Sequence, residues 1–300
     1  MTASRVARVF TSLFVAWVAL TACGATEEAA PPSESMFANW PNQLEGFRFR
    51  WTAEPGIDLL SGPAVPLRGY LESHRIGDLT GDAEDAYPGF SRAVPHPGKP
   101  KDDARTDLPY EVRYIQPGTD FPAVGFRTLP PDVRFYGNEY FHILELSPTE
   151  DGDGYRAYVC DGRYNIFYGT DTGPFEPLYP AGESSPDSEI SEIRVWRVEF
   201  TDHPVLPTPD APPAVTTSQK GPSPAPLGDI FGPWQITGAH NGGSWGPRGS
   251  ATYDGWEERR KQCRDLMPHN AAQRQQIYSS TLNTPPIPEP AVPGWPDNVA

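Results

Sequence analysis

The sequence predicts an α+β protein, because one helical segment is followed along the chain by a series of strand-like segments. The helix is predicted over 64–79, where apolar residues recur at helical spacing and Pro63 and Pro66 stand where a first turn tolerates proline. The strand-like segments lie between 110 and 200, and their apolar and polar residues alternate as on a half-buried sheet. We therefore expect N-terminal helices packed on a curved antiparallel sheet.

Six segments of the middle region are predicted strands, and turn residues separate them. The strands are 110–115, 123–129, 139–146, 155–160, 163–168 and 189–200. The Asp-Gly run at 151–154 predicts a hairpin turn, and Asp161 with Gly162 predicts a second one. Calcium-binding loops need regularly spaced oxygen ligands and a distal glutamate, which the Asp-Gly run does not supply. We therefore interpret this run as a turn and expect no metal there.

Proline dominates the chain after the last predicted strand. Eight prolines fall between Pro204 and Pro226, which is typical of an extended linker without a core of its own. A strand over 233–239 and helices over 256–267 and 271–282 are predicted next, with Asn270 as the cap of the second helix. The predicted organisation is a signal peptide 1–22, a lipidated tether 23–44, an α+β domain 45–203, a Pro-rich linker 204–227, a C-terminal arm 228–284 and a Pro-rich tail 285–300.

The N-terminal segment has the pattern of an export signal. Arg5 and Arg8 precede an apolar run over 9–20, which is shorter than a bilayer span. The run ends in Leu-Thr-Ala-Cys at 20–23, which resembles the bacterial lipobox, so Cys23 is the expected lipid attachment site on the outer face of the plasma membrane. Two alternatives remain open at this point: an ordinary cleaved signal with a chance cysteine, and an uncleaved membrane anchor.

Charge and cysteine content limit the function further. The formal net charge is −15, and such a surface should repel nucleic acid, so no nucleic-acid partner is expected. With Cys23 lipidated, Cys160 and Cys263 form an even pair in an oxidising compartment, and a disulfide is predicted between them. Two free buried thiols are the alternative. The six histidines are scattered without the spacing of a metal site, so neither a metal nor a cofactor is expected.

The order of elements over about 60–202 is similar to that of the NTF2-like, or SnoaL-like, superfamily, as is the Tyr-Pro-Gly-Phe turn at 87–90. The chain also looks like secreted lipoproteins of mycobacteria and related actinobacteria that have no assigned activity. That second resemblance rests on the lipobox and on four short segments: 62–68, 158–162, 284–286 and 293–296. The first resemblance implies a cone-shaped fold with a pocket between sheet and helix, used for acid/base chemistry or for binding alone.

Three residues are candidates for acid/base chemistry in such a pocket. His74 and Asp78 are four apart on the predicted helix and share one face, and His142 lies in the middle of the strand 139–146. A His–Asp pair can act as a general base. The alternative is a solvated helix face and a sheet histidine whose hydrogen bonds are satisfied. The sequence has no GxSxG motif, no P-loop and no dinucleotide-binding fingerprint.

These observations favour a membrane-anchored, non-catalytic binding or scaffolding module in the cell envelope. Its expected partners are the membrane, through the lipid, and an envelope protein or a small apolar ligand. A SnoaL-like enzyme that uses the His74–Asp78 pair is one alternative function. A cell-wall spacer or attachment protein, in which the proline segments hold the domain in the wall, is the other.

Overall fold

The structure is a computed structural model that describes residues 35–94, 108–118, 129, 132–179, 193–203, 211–247 and 252–298. The predicted signal peptide, Cys23 and most of the predicted strand 123–129 lie outside the described residues. The helices are α1 (Ala64–Thr80), α2 (Phe90–Ala93), α3 (Tyr110–Arg113), α4 (Trp256–Leu266) and α5 (Ala271–Tyr278), and two short 3-10 turns cover Asn42–Leu44 and Ala83–Asp85. No helix among these residues is both long and apolar enough to cross a bilayer.

Helix α1 confirms the predicted helix, but it is buried on nearly every side instead of along one apolar stripe. The helix ends at Gly81, whose left-handed backbone (φ 74°) suits glycine as the terminating residue. Gly69 and Gly77, which are poor helix formers, allow Ile230 and Pro117 to approach the helix where a Cβ atom would overlap them. The glycines therefore serve the packing of α1 at the expense of its intrinsic stability.

Seven strands form the sheet: β1 (Gly46–Ala53), β2 (Arg134–Pro148), β3 (Tyr155–Gly162), β4 (Ile166–Gly169), β5 (Glu176–Pro177), β6 (Ile193–Thr201) and β7 (Gln235–His240). Their hydrogen-bonded order is β5-β4-β2-β3-β6-β7, and these pairs are antiparallel. β1 pairs in parallel with residues 136–143 of β2. Because β3 and β4 follow each other along one edge of β2, β1 must occupy its other edge.

Local predictions in the strand region have mixed outcomes. The Asp-Gly run does make the β2–β3 hairpin turn, in which Gly152 has a φ of 77°. The second turn lies later than predicted, since Asp161 and Gly162 are the last residues of β3. The predicted strand 110–115 is wrong: its first four residues form α3, which begins after Pro109 and packs against β7. A four-residue alternation fits one helical turn as well as a strand, and proline favours a helix start.

The sheet separates two clusters of buried residues. Phe141, Val159 and Val198 point to the side covered by α1, here called the α1 face. Their neighbours in sequence point to the other side, the arm face, which α4 and α5 cover. The predicted disulfide is confirmed: Cys160 on β3 is bonded to Cys263 on α4. Asn270 caps α5 as predicted, in a capping box with Gln273.

The C-terminal segments fold back onto the sheet. Glu34–Ala300 forms one compact unit, and a separate Pro-rich linker is not confirmed. Ala225 is fully buried, and Ser223 pairs with Trp295 of the predicted tail. Val292 of the same tail pairs with Arg50 along the outer edge of β1. The structure is therefore an α+β fold in which the described residues of the proline-rich segments, 211–227 and 285–298, belong to the folded unit.

Candidate functional site

The predicted His74–Asp78 pair does form, but it is enclosed. His74 Nδ1 lies 3.4 Å from Asp78 Oδ2, and the histidine is only 6% exposed, so the pair does not lie on a solvated helix face. The other ring nitrogen, Nε2, lies 3.2 Å from the carbonyl oxygen of Tyr114. Trp196 and Tyr70 pack edge-on against the imidazole, with ring centroids 5.0 and 5.9 Å away.

This enclosure decides what the pair can do chemically. A general base needs a ring nitrogen within hydrogen-bond reach of the proton that it removes. Both nitrogens of His74 already face acceptor oxygens, one on Asp78 and one on the main chain of Tyr114. The pair therefore attaches α1 to the segment that follows α3, which is a structural task.

A charge cluster that the sequence did not reveal surrounds Arg75. Arg75 Nε donates to both carboxylate oxygens of Glu139 at 2.9 Å. Its other nitrogens lie 3.2 Å from Asp161 and 3.3 Å from Asp78. Trp196 Nε1 adds a hydrogen bond of 3.0 Å to Asp161. The side chains of Glu139 and Asp161 are fully buried, so this is an ion network under α1, closed off from water.

The carboxyl groups of this cluster are tuned in opposite directions. Burial raises the pKa of Glu139 well above its usual value, and the adjacent Asp161 reinforces the effect, while Arg75 opposes it. For Asp78, burial is outweighed by His74 and Arg75, which hold its pKa at about 2.

A second buried network lies nearer the start of α1. Glu72 accepts hydrogen bonds of 2.7 Å from Trp51, 2.7 Å from Tyr87 and 2.8 Å from Trp295. Arg68, one helical turn earlier, donates to the main-chain oxygens of Leu59, Gln219 and Gly294. Its guanidinium lies 4.2 Å from the centre of the Trp295 ring. Together Glu72 and Arg68 attach the C-terminal tail to α1.

His142 is on the opposite side of the sheet from His74. It stands across from Cys160 in the β2–β3 pairing and so belongs to the arm face. Its Nδ1 lies 2.8 Å from Thr52 Oγ1, and its Nε2 lies 3.4 Å from a Glu54 oxygen. The structure therefore brings His74 and Asp78 together and leaves His142 in a separate, satisfied position.

The arm face contains a cavity of about 330 Å³. It lies between strands β1 and β2, the turn after α4, and the tail. Its walls include apolar and polar side chains, chiefly Leu266, Met267, Val292, Arg50, Tyr140 and Glu289. No sequence motif marks this site, because its residues come from four segments far apart in the chain.

The polar groups of this cavity are gathered around Glu289. Arg50 Nη2 lies 3.3 Å from one carboxylate oxygen, and the Tyr140 hydroxyl donates to the other at 3.2 Å. Asn165 donates to the Tyr140 oxygen at 3.0 Å. The pKa of Tyr140 is raised to about 12, mainly by burial, so its phenol stays a neutral hydrogen-bond donor. One end of the cavity is thus polar, with one cation and one anion that compensate each other.

Two attachments hold the walls in place. The disulfide fixes α4 to β3, and Met267, just beyond α4, packs on Gly162 where a Cβ atom would overlap the sulfur. On the tail, Glu289 exchanges hydrogen bonds with the Asn138 side chain: its amide donates at 2.9 Å and its carbonyl accepts at 3.0 Å. The cavity is therefore preformed by covalent and hydrogen-bonded contacts.

Comparisons with known proteins add no further constraint. The chain matches no protein-family model, no curated protein and no solved structure. Within the described ranges, no group of three or more His, Cys, Asp or Glu side chains could hold a metal ion. What bears on function is therefore the arrangement of side chains on the two faces of the sheet.

Proposed function

We propose that this protein is exported, anchored by a lipid on Cys23 at the outer face of the plasma membrane, and acts there as a non-catalytic binding module. The lipobox and the signal pattern before it support the anchor. The Cys160–Cys263 disulfide supports export, because disulfides persist in oxidising compartments outside the cytosol.

We also propose that the folded unit is a variant of the NTF2-like cone. The support is that α1 precedes a run of antiparallel strands and packs across one face of their sheet. β1 is a departure from that plan, since it precedes α1 and pairs in parallel with β2. Fold alone does not carry a function, so this proposal bears on architecture only.

The observation that carries the binding function is the preformed cavity on the arm face. Small-molecule sites are concave, largely apolar, and contain a few convergent polar groups, in volumes of about 300–1,000 Å³. The arm-face cavity, at about 330 Å³, meets this description. On the α1 face, the buried polar side chains of α1 are already bonded to the strands and to the tail. A small ligand is therefore the partner that we assign to the arm face.

A co-purification experiment tests this function. The full chain is isolated from its own membranes, and bound small molecules are extracted and identified by mass spectrometry. Leu266→Trp, which places an indole at the cavity, should remove the bound molecule, whereas Met36→Trp should retain it. Met36 is a matched control because it is 82% exposed and lies away from the cavity. Equal recovery from both variants would contradict a binding function at this site.

Anchoring is tested separately by fractionation. Cys23→Ala should abolish lipid-dependent retention in the membrane fraction, because the thiol that carries the diacylglycerol is lost. A Cys23→Ala protein that is processed and retained like the wild type would overturn the anchor.

Two other functions are less well supported. The close His74–Asp78 pair is the feature that favours a SnoaL-like enzyme, but the acceptors and aromatic rings around His74 occupy the positions a substrate needs. A cell-wall spacer requires extended proline segments. In the described parts of those segments, Gln219, Ser223 and Trp295 are buried in the folded unit, which disfavours a spacer.

A further inference from the structure

We infer that the arm-face cavity binds a single-chain, uncharged amphiphile, with an aliphatic chain in the cavity and a hydroxyl-bearing headgroup beside Arg50 and Glu289. This inference rests on the proposed binding function and specifies its ligand. The chemistry of the walls, the exposure of the mouth and the charge of the polar end each point to it.

The walls suit an aliphatic chain. The aliphatic side chains that line the cavity are Leu266, Met267 and, from the tail, Val292. Methionine is unbranched and flexible, so it adapts to a chain whose conformation varies. A water molecule occupies on the order of 30 Å³ in the liquid, and a methylene group is of similar size. The cavity of about 330 Å³ therefore holds on the order of ten such groups.

The mouth of the cavity is apolar as well. Leu266 and Val292 line the cavity and are nevertheless 38% and 41% exposed. Ile287, two residues before Glu289 on the tail, is 93% exposed. These are three of the five large apolar side chains exposed among the described residues. A hydrocarbon chain longer than the cavity would continue over Leu266 and Val292 and remove their surface from water.

The polar end selects the headgroup. Arg50 and Glu289 form a pair without net charge, and each still has surface open to solvent. A hydroxyl group can donate to the carboxylate and accept from the guanidinium without separating them. A carboxylate or phosphate headgroup would have to compete with Glu289 for Arg50, and it would approach a chain with a net charge of −15. An ammonium headgroup would have to compete with Arg50 for Glu289.

Photocrosslinking in the native membrane tests the ligand class. Three probes share one alkyl chain with a diazirine near its end and differ in their headgroups: a monoacylglycerol, a fatty acid and an alkylammonium. Each is added to membranes that contain the full chain, irradiated, and its crosslinks are mapped by peptide mass spectrometry. We expect the monoacylglycerol to label 266–268 and 289–292 several-fold more than the other two probes do.

Two variants sharpen the result. Leu266→Trp should reduce labelling at both segments several-fold, and Met36→Trp should not. Glu289→Gln removes the negative charge with little change of shape, so Arg50 becomes available to an anion and labelling by the fatty acid should rise several-fold. The Glu289 side chain is 54% exposed, so Glu289→Gln is expected to fold. It therefore tests the headgroup preference even if Leu266→Trp fails to fold.

The outcomes separate this inference from the function on which it rests. Crosslinks confined to other surfaces, or equal labelling by all three probes, would overturn the inference. If a different bound molecule co-purifies with the wild type and is lost in Leu266→Trp, the binding function stands while the ligand class proposed here fails. If no molecule co-purifies and no probe labels either segment, both fail.

Discussion

The two faces of the sheet are closed by different kinds of interaction. Under α1, five ionisable side chains are buried and hydrogen-bonded within the chain: Arg68, Glu72, Arg75, Glu139 and Asp161. On the arm face, aromatic and aliphatic residues pack under α4 and α5, and a disulfide fixes α4 to β3. A cavity is left at one side.

This contrast distinguishes polar residues that hold the fold together from polar residues that are available to bind a ligand. Buried charges cost several kcal/mol each to remove from water, and they persist when partners and hydrogen bonds compensate them. On the α1 face these partners determine where α1, the tail and the strands meet. On the arm face, Glu199 accepts from Arg156 at 2.7 Å and from Arg197 at 2.6 Å, but these side chains remain partly exposed. The Arg50–Glu289 pair at the cavity is partly exposed as well, so its groups can exchange partners with a ligand at a lower cost than the buried groups under α1 can.

Removal of the disulfide should have the largest effect and should act on one face. Cys160→Ala with Cys263→Ala opens a loop of 103 residues, which the chain-entropy model equates to about 4–5 kcal/mol. Urea unfolding should show this loss, and hydrogen exchange should accelerate in α4 and α5 while α1 stays protected. Uniform acceleration across both faces would contradict the distinction drawn between them.

Arg75→Met should destabilise the protein by about 3–5 kcal/mol, because it leaves buried carboxyl groups without their cation. The matched control is Arg92→Met. Arg92 pairs with Asp229 at 2.6 Å, but both side chains are about a fifth exposed, so the loss should be about 1 kcal/mol or less. Urea midpoints of the two variants provide the comparison. Equal losses would show that the buried network contributes no more than this partly exposed pair.

Trp295→Phe tests how the tail is attached to α1. The substitution removes the donor that lies 2.8 Å from Glu72 and should cost about 1.5–3 kcal/mol, the range for hydrogen bonds to charged groups. Trp40→Phe is the control, because its indole donates to the neutral carbonyl of Leu44 and its loss should cost about 0.5–1.5 kcal/mol. The free energies of unfolding should rank in that order, and the reverse order would argue against the Glu72 attachment.

The pH dependence of the free energy of unfolding should be the smallest of these effects when it is expressed per pH unit. The pKa of Glu139 is raised above its usual 4.5 in the folded state, so the folded protein binds this proton more tightly than the unfolded chain does. Stability should therefore fall as the pH rises above 4.5, by up to about 1.4 kcal/mol per pH unit, until the raised pKa is reached. Burial raises the pKa of Glu72 in the same direction.

Glu139→Gln should reduce this decrease of stability with rising pH. Urea unfolding across a pH series measures it. Asp78 acts with the opposite sign, since its folded pKa of about 2 lies below its usual 3.8. Its contribution is complete above that usual value and is lost as the pH falls toward 2. An unchanged pH profile in the Glu139→Gln variant would show that this carboxyl group is ionised in the folded protein.

Sequence patterns alone predicted the elements that depend on neighbours along the chain. Helix α1 follows from the 3.6-residue spacing of apolar residues, the β2–β3 turn from its Asp-Gly run, and α5 from its Asn270 cap. The disulfide followed from counting, since two cysteines remained for an exported chain. Strand β1 was missed although Phe47, Phe49 and Trp51 alternate within it. Lipidation of Cys23 stays a prediction.

The tertiary structure decided what depends on residues far apart in the chain. Arg75 meets Glu139 and Asp161 across 64 and 86 positions, and Trp295 meets Glu72 across 223. The spacing of apolar residues along the chain does not predict contacts between such distant residues. A helix face with polar residues, which looks solvent-exposed in the sequence, can therefore be buried. The cavity is of the same kind, because its walls come from β1, β2, the end of α4 and the tail. Periodicity reports which side of an element is apolar, whereas the partner of a buried charge is set only when the chain packs.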